Sequence, residues 1–243
     1  MRRTFMVLAG IATVGIGLAG AANPPFGGDD NGFLPPIGSA VNKCETNIGK
    51  QTAKLIDTVG KCHGKLITGK LDATGEEQCE QKATAKFVAK VKIVGCDVCT
   101  NLTTIANQSE DTADSALGAI LCGAGTPAGG DDAGNIPADP IAAKCAAGVV
   151  KGYGKLNKAL YKCHVNRAKG KLIDNAANEA CETLAVNKFM SKTKTTGCDF
   201  CVNLGGVAWV TQIDLQAHNN LVYCQSPSSA FVEKSRGYME SLF

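Results

Sequence analysis

Aromatic residues are scarce in this chain of 243 residues, which has one Trp, four Tyr and eight Phe beside 28 Gly. This scarcity excludes a thick aromatic core and predicts thin hydrophobic cores that need covalent support. A large excess of charge of one sign is also missing, since 25 basic residues face 22 acidic ones. The sequence therefore provides no electrostatic basis for binding nucleic acid or an anionic membrane surface.

Alternating apolar and polar residues, the pattern of a half-buried strand, are absent over any useful length. Apolar residues instead recur at steps of three, four or seven from Val41 to Leu66, which is helical spacing. No Ser/His/Asp set and no pair of carboxylates recurs along the chain. We therefore predict an all-α fold and a non-catalytic protein without a cofactor.

Long apolar runs are missing except at the N-terminus. There, Arg2 and Arg3 precede an uncharged apolar stretch that ends in small residues before Pro24. This pattern is typical of a secretory signal peptide, here residues 1–22. A retained membrane anchor is the alternative, but residues 7–18 are too few to span a bilayer. We expect export to the periplasm or the medium, with no membrane span in the mature chain.

Cysteine, in contrast, is abundant, and its even number in an exported chain predicts disulfides. The successive separations are 18, 17, 17, 3 and 23, then 18, 18, 17, 3 and 23, so the chain is a tandem duplication with a period of about 101 to 102 residues. The twelve cysteines are Cys44, Cys62, Cys79, Cys96, Cys99, Cys122, Cys145, Cys163, Cys181, Cys198, Cys201 and Cys224.

Further motifs repeat with the cysteines. "KCH" ends at His63 and again at His164, and segments rich in Gly, Pro and Asp precede both repeats. Such segments have no apolar face and are typical of linkers. We predict two helical-hairpin modules of about three helices each. The predicted boundaries are linker 23–38, module 39–122, linker 123–141, module 142–224 and C-terminal tail 225–243.

The cysteine spacing predicts how each hairpin is cross-linked. Cys44 and Cys62 are five helical turns apart, about 27 Å, so they share a helix face but cannot bond to each other. The separation of 17 residues between Cys79 and Cys96 nearly equals the 18 residues between Cys44 and Cys62, as an antiparallel hairpin with a disulfide at each end requires. The second repeat carries its one extra residue between Leu172 and Cys181, in the predicted turn. The predicted pairs are Cys62 with Cys79, Cys44 with Cys96 or Cys99, and the remaining cysteine of that CxxC with Cys122.

The motifs "GCDVC" and "GCDFC" allow two other interpretations. A thiol redox pair needs a helix start after a strand, and this chain shows no such strand. A zinc site made of Cys96, Cys99, Cys198 and Cys201 has suitable spacing, but an oxidising compartment opposes it. We interpret both motifs as structural, with Asp97 or Asp199 capping the third helix of its repeat.

His63 and His164 are the remaining candidates for metal or haem ligands. They follow a cysteine as in a haem-binding C-x-x-C-H motif, but the first cysteine of that motif is missing. Paired across the repeats they would supply two ligands to a transition metal, which bind weakly. The simpler interpretation places both imidazoles near the hairpin turns, facing solvent or a helix end. The "GGDD" segments lack the full pattern of a calcium loop. Trp209 is expected to fill the second core.

The "KCH", "KF" and "GC" positions, over residues 40–224, resemble a cysteine-rich helical repeat of exported bacterial proteins of unassigned function. In architecture the hairpin is also similar to the twin-cysteine helical hairpins of the mitochondrial intermembrane space. Both resemblances imply helices and disulfides, and neither implies an active site. We expect a binding or structural protein that engages a protein partner or assembles with itself. The alternative is a redox, metal or haem carrier that uses the CxxC and KCH positions.

Overall fold

Six α-helices make up the fold in a computed structural model that describes residue 26 and residues 32–121, 134–199 and 201–224. No strand occurs in these residues, which confirms the all-α prediction. None of their helices has the length and apolarity required to cross a membrane. The predicted signal peptide and C-terminal tail, and most of the linkers, lie outside the described residues. The helices are α1 (Ala40–Ile67), α2 (Ala73–Lys90), α3 (Leu102–Ile120), α4 (Pro140–Ala168), α5 (Asn175–Lys192) and α6 (Leu204–Val222).

The third helix of each repeat begins at an asparagine. The side chain of Asn101 accepts hydrogen bonds from the backbone N–H groups of Thr103 and Thr104 at 3.0 and 3.1 Å. Asn203 caps α6 in the same way. The prediction that Asp97 or Asp199 caps this helix is therefore wrong, because each lies too far before the first turn. Asp97 instead accepts a long hydrogen bond of 3.4 Å from the backbone of Cys99.

Four described disulfides hold the two hairpins as the spacing predicts. The extra residue of the second repeat falls in the turn between helices, since residues 68–72 connect α1 to α2 and residues 169–174 connect α4 to α5. Gly69 and Gly170 occupy equivalent positions in these turns with φ of 68°, a backbone conformation that favours glycine. The confirmed pairs are Cys62–Cys79 and Cys163–Cys181 at the turns, and Cys44–Cys96 and Cys145–Cys198 at the open ends.

The other cysteine of the first CxxC corrects the predicted pairing. Cys99 bonds to Cys224, 125 residues away in the second repeat, and so not to Cys122, which lies outside the described residues. The cause is the packing of α3 against α6 in antiparallel orientation, which brings the start of α3 to the end of α6. Cys201 is also disulfide-bonded. The two cysteines of "GCDVC" therefore bind different partners, one within the repeat and one across it.

A single core runs through both repeats. Helices α1 and α4 pack along each other and bury apolar side chains such as Ile56 and Val149 in one continuous cluster. The approach is close, because a Cβ atom on Gly154 of α4 would lie 2.8 Å from the Asp57 carboxylate of α1. Trp209 is 64% exposed, so the prediction that it fills the second core is wrong.

Candidate metal centre

The closed end of the first hairpin brings a histidine and a glutamate together. His63 follows Cys62 on α1 and Glu80 follows Cys79 on α2, and the disulfide between these cysteines holds their Cα atoms 5.8 Å apart. The neighbouring side chains consequently meet, with His63 Nε2 2.6 Å from Glu80 Oε1. The covalent link thus positions a nitrogen and an oxygen donor on adjacent helices.

Two further carboxylates face the same imidazole nitrogen. Glu76 lies one turn before Glu80 on α2, and its Oε1 is 3.6 Å from His63 Nε2. Asp114 comes from α3, with Oδ1 at 3.1 Å. Each of three residues offers one ligand atom, and these three atoms all lie within 4.8 Å of one another, which is an arrangement that can hold a metal ion. The three residues are His63, Glu80 and Asp114. We call these four side chains the His63 cluster.

The His63 cluster is buried and rich in potential negative charge. His63 and Asp114 are 1% and 5% exposed, and both glutamates are fully buried. In the part of the chain that the structure describes, no lysine or arginine is among the buried residues. Several ionised carboxylates in such a place require compensation by a bound cation or by protons. One imidazole can carry only one positive charge.

The equivalent position of the second repeat has the same frame with fewer carboxylates. His164 Nε2 lies 2.7 Å from Glu182 Oε1, close to the 2.6 Å between His63 Nε2 and Glu80 Oε1. Asn178 stands where the first repeat has Glu76, and it donates to Glu182 and to the backbone carbonyl of Phe26. The second imidazole nitrogen meets Asn219 Oδ1 at 2.7 Å. This set is a hydrogen-bonded network that contains a single carboxylate.

The structure places the two sequence-predicted histidines in separate clusters. His63 contacts α2 and α3, whereas His164 contacts α5 and α6. These contacts do not form the predicted metal site in which the two histidines are paired. Both are buried, so the prediction that they face solvent or a helix end is wrong. Sequence reasoning missed Glu76, Glu80 and Asp114. The described CxxC cysteines are all disulfide-bonded, and the "GGDD" segments lie outside the described residues.

A second buried acid lies at the opposite end of the hairpin. Glu45 follows Cys44, and the Cys44–Cys96 disulfide brings it near Asp97. Burial raises the pKa of Glu45 to about 9, and the Asp97 carboxylate adds to the shift. Tyr223 lies close enough for the charge of Glu45 to raise its pKa, in addition to the larger effect of burial. Glu45 is therefore protonated at neutral pH.

A third buried group joins the two repeats. His218 of α6 is fully buried, and its Nε2 lies 3.2 Å from the hydroxyl of Ser109 on α3. Its Nδ1 lies 2.8 Å from the backbone carbonyl of Asp214. Burial lowers the pKa of His218 to about 4, and the hydrogen bond to Asp214 opposes that shift. The imidazole is neutral at pH 7 and acts as a polar contact between α3 and α6.

No protein-family model, curated protein or solved structure matches this chain significantly.

Proposed function

We propose that the chain is an exported, disulfide-linked protein that binds one divalent transition-metal ion at the His63 cluster. The observation that carries this proposal is the convergence of three buried carboxylates on one buried imidazole. A divalent cation at this point would interact favourably with all three carboxylates. The second repeat, with amides in place of carboxylates, has no comparable requirement.

The donor set favours a first-row transition metal. Imidazole suits zinc, iron and copper, whereas calcium and magnesium prefer sites made of oxygen alone. In a tetrahedral zinc site with bonds of about 2.0–2.1 Å, the ligand atoms are about 3.3–3.4 Å apart. The distances from His63 Nε2 are 2.6, 3.1 and 3.6 Å. The ligand atoms of His63, Glu80 and Asp114 lie within 4.8 Å of one another, so side-chain adjustments on the order of 1 Å would provide three protein ligands to Zn²⁺, with Glu76 beside them.

A binding or structural role fits this site better than catalysis. Catalytic metal sites keep a position open to substrate, whereas all four side chains here are buried. An ion held between α1, α2 and α3 would join three helices whose aromatic content is low. The disulfides accord with an oxidising compartment, as export requires. We retain as proposals the non-catalytic binding or structural role, the two repeated modules and the engagement of a protein partner or of a second copy.

The experiment is a metal titration of the oxidised, full-length protein after treatment with a chelator. Because the ligands are buried, Zn²⁺, Mn²⁺ or Co²⁺ is added during refolding, and the bound metal is counted by mass spectrometry and calorimetry. We expect one ion per chain. We also expect Co²⁺ to give visible absorption bands of a four-coordinate site.

Variants then locate the ion. Glu80→Gln and Asp114→Asn remove negative charge without loss of volume, and we expect each to weaken binding by at least about 100-fold, more than loss of a residue outside the ligand set. Glu182→Gln is the matched control in the second repeat and should leave stoichiometry and affinity unchanged. Absence of bound metal in the wild type, or equal effects of Glu80→Gln and Glu182→Gln, would contradict the proposal. Circular dichroism verifies that each variant folds.

A further inference from the structure

A cleft of about 840 Å³ lies between α4 and α5 of the second repeat. Its floor is apolar and includes Leu156, Ala159 and Phe189. The rim is basic, and no acidic residue is among the described residues that line the cleft. The six rim lysines, all exposed, are Lys144, Lys151, Lys155, Lys188, Lys192 and Lys194.

Small residues on α4 keep this cleft open. A Cβ atom built on Gly148 would meet nothing within 4 Å, so open space lies above the helix there. At the equivalent positions of the first repeat, Asn47 and Thr58 replace Gly148 and Ala159. Gly152 has a different role, because a Cβ atom there would lie 2.6 Å from Thr193 Oγ1, so this glycine lets α5 pack closely at one end of the cleft. The groove between α1 and α2 is smaller, about 280 Å³, and Thr58 and an acidic residue, Asp57, line it.

Charge and apolar surface together identify the class of ligand. Six lysines around one opening repel each other, and an anion that enters reduces this repulsion. The aliphatic part of each lysine can cover an apolar chain while its ammonium group faces water. A volume of this size is within the range of small-molecule sites, and such sites combine an apolar wall with a few polar groups. A plain inorganic anion would leave the apolar floor unused.

We propose that this cleft binds an amphipathic anion, a carboxylate or phosphate group attached to a single aliphatic chain. The apolar chain packs on Leu156 and Phe189, and the anionic group meets the rim lysines. This activity is independent of the metal proposal, because none of the four side chains of the His63 cluster lines the cleft.

The test is calorimetric titration of the oxidised full-length protein, without added metal, with dodecanoate below its micelle concentration. We expect saturable binding of one molecule per chain that weakens at least tenfold from 20 to 500 mM NaCl, since salt screens the lysines. Dodecyl phosphate should bind similarly. Acetate and inorganic phosphate, which lack the chain, should not saturate the site, and neutral dodecanol should bind at least tenfold more weakly.

Matched variants assign the site. The double change Lys151→Glu with Lys192→Glu should weaken dodecanoate binding at least tenfold. Its control is Lys50→Glu with Lys90→Glu at the equivalent positions of the first repeat, which changes the net charge equally and should leave affinity unchanged. Gly148→Leu places a side chain in the open space and should also weaken binding, while circular dichroism reports an intact helix.

Four outcomes would overturn the proposal. Equal binding of dodecanol indicates a purely apolar cleft, and saturable binding of acetate or phosphate alone indicates a simple anion site. Displacement of dodecanoate by hexaglutamate at similar concentration indicates a site for acidic peptides. Equal loss of affinity in the two double variants indicates that the charge of the whole protein, and not this cleft, controls binding.

Discussion

Replacing Glu45 by glutamine should stabilise the protein at alkaline pH and leave it nearly unchanged at pH 5. Glu45 is fully buried on α1, beside the disulfide that closes the open end of the first hairpin. At the equivalent position the second repeat has Ala146, which is also buried. The fold at this corner therefore requires a neutral side chain, and Glu45 satisfies that requirement only while it is protonated.

The size of the effect follows from the difference in proton binding between the folded and unfolded states. The pKa of Glu45 rises from 4.5 to about 9 in the folded protein, with burial as the main cause and Asp97 as the second. Between these values the native state holds a proton that the unfolded chain releases, so stability decreases as pH rises. At about 1.36 kcal/mol per pH unit, the loss from pH 5 to pH 8 is about 4 kcal/mol.

Urea denaturation of the oxidised protein at pH 5, 6.5 and 8 measures this loss directly. In the wild type the free energy of unfolding should fall with pH along a slope that Glu45→Gln removes. The difference between the two proteins should be within about 1 kcal/mol at pH 5 and should approach about 4 kcal/mol at pH 8. Asp111→Asn, which removes an exposed carboxylate from α3, is the control and should follow the wild type.

Two parallel curves for the wild type and Glu45→Gln would refute this reasoning, because Glu45 would then ionise equally in both states. A variant that is less stable at every pH would also contradict it. That outcome would show that the carboxyl group makes contacts that the amide cannot replace.

Two further predictions concern the contacts between the repeats. Removing the Cys99–Cys224 disulfide by a double change to serine should cost about 4 kcal/mol, against about 3 kcal/mol for Cys62–Cys79, because its loop is the longer one even with Cys145–Cys198 intact. Equal losses in urea denaturation would contradict this order. The wild type should lose stability when the pH falls from 6.5 to 4, because the pKa of His218 is about 4 in the folded protein and higher in the unfolded chain. His218→Gln should reduce this loss of unfolding free energy by about 3 kcal/mol. The partly buried Asp214, whose pKa desolvation raises to about 7, contributes a slope of the opposite sign. The test therefore compares the variant with the wild type over the same pH range, and an unchanged difference in stability across that range would refute the assignment.

The helices and the hairpin disulfides could be predicted from the sequence because they depend on local spacing. Five turns between Cys44 and Cys62 determine a helix face, and matching separations on the next helix determine which cysteines meet. The Cys99–Cys224 bond could not be predicted, because it depends on how α3 packs on α6. Within one repeat, Cys122 is the only unassigned partner for Cys99, so spacing alone favours the wrong pair.

The candidate site was accessible to sequence reasoning only in part. Once Cys62 is paired with Cys79, the residues that follow them, His63 and Glu80, must be neighbours, so this contact is a consequence of the predicted disulfide. Glu76 and Glu80 have the spacing of any two glutamates on one helix face, so the pair alone does not distinguish a buried site from a solvated surface. Asp114 enters the cluster through the packing of α3, which no local pattern encodes.

The sequence is duplicated, and some of the substitutions between the two copies lie at the two proposed sites. In the proposed metal site, the first repeat has Glu76 and Asp114 where the second has Asn178 and Gln216. In the groove between the hairpin helices, the second repeat has Ala159 where the first has Thr58, and the larger cleft, the proposed amphiphile site, lies in the second repeat. Each copy keeps its two hairpin disulfides, and each carries one of the two proposed sites. Because α1 packs on α4 and Cys99 bonds to Cys224, the two proposed sites belong to one body, and both can be assayed in the same preparation of the oxidised protein.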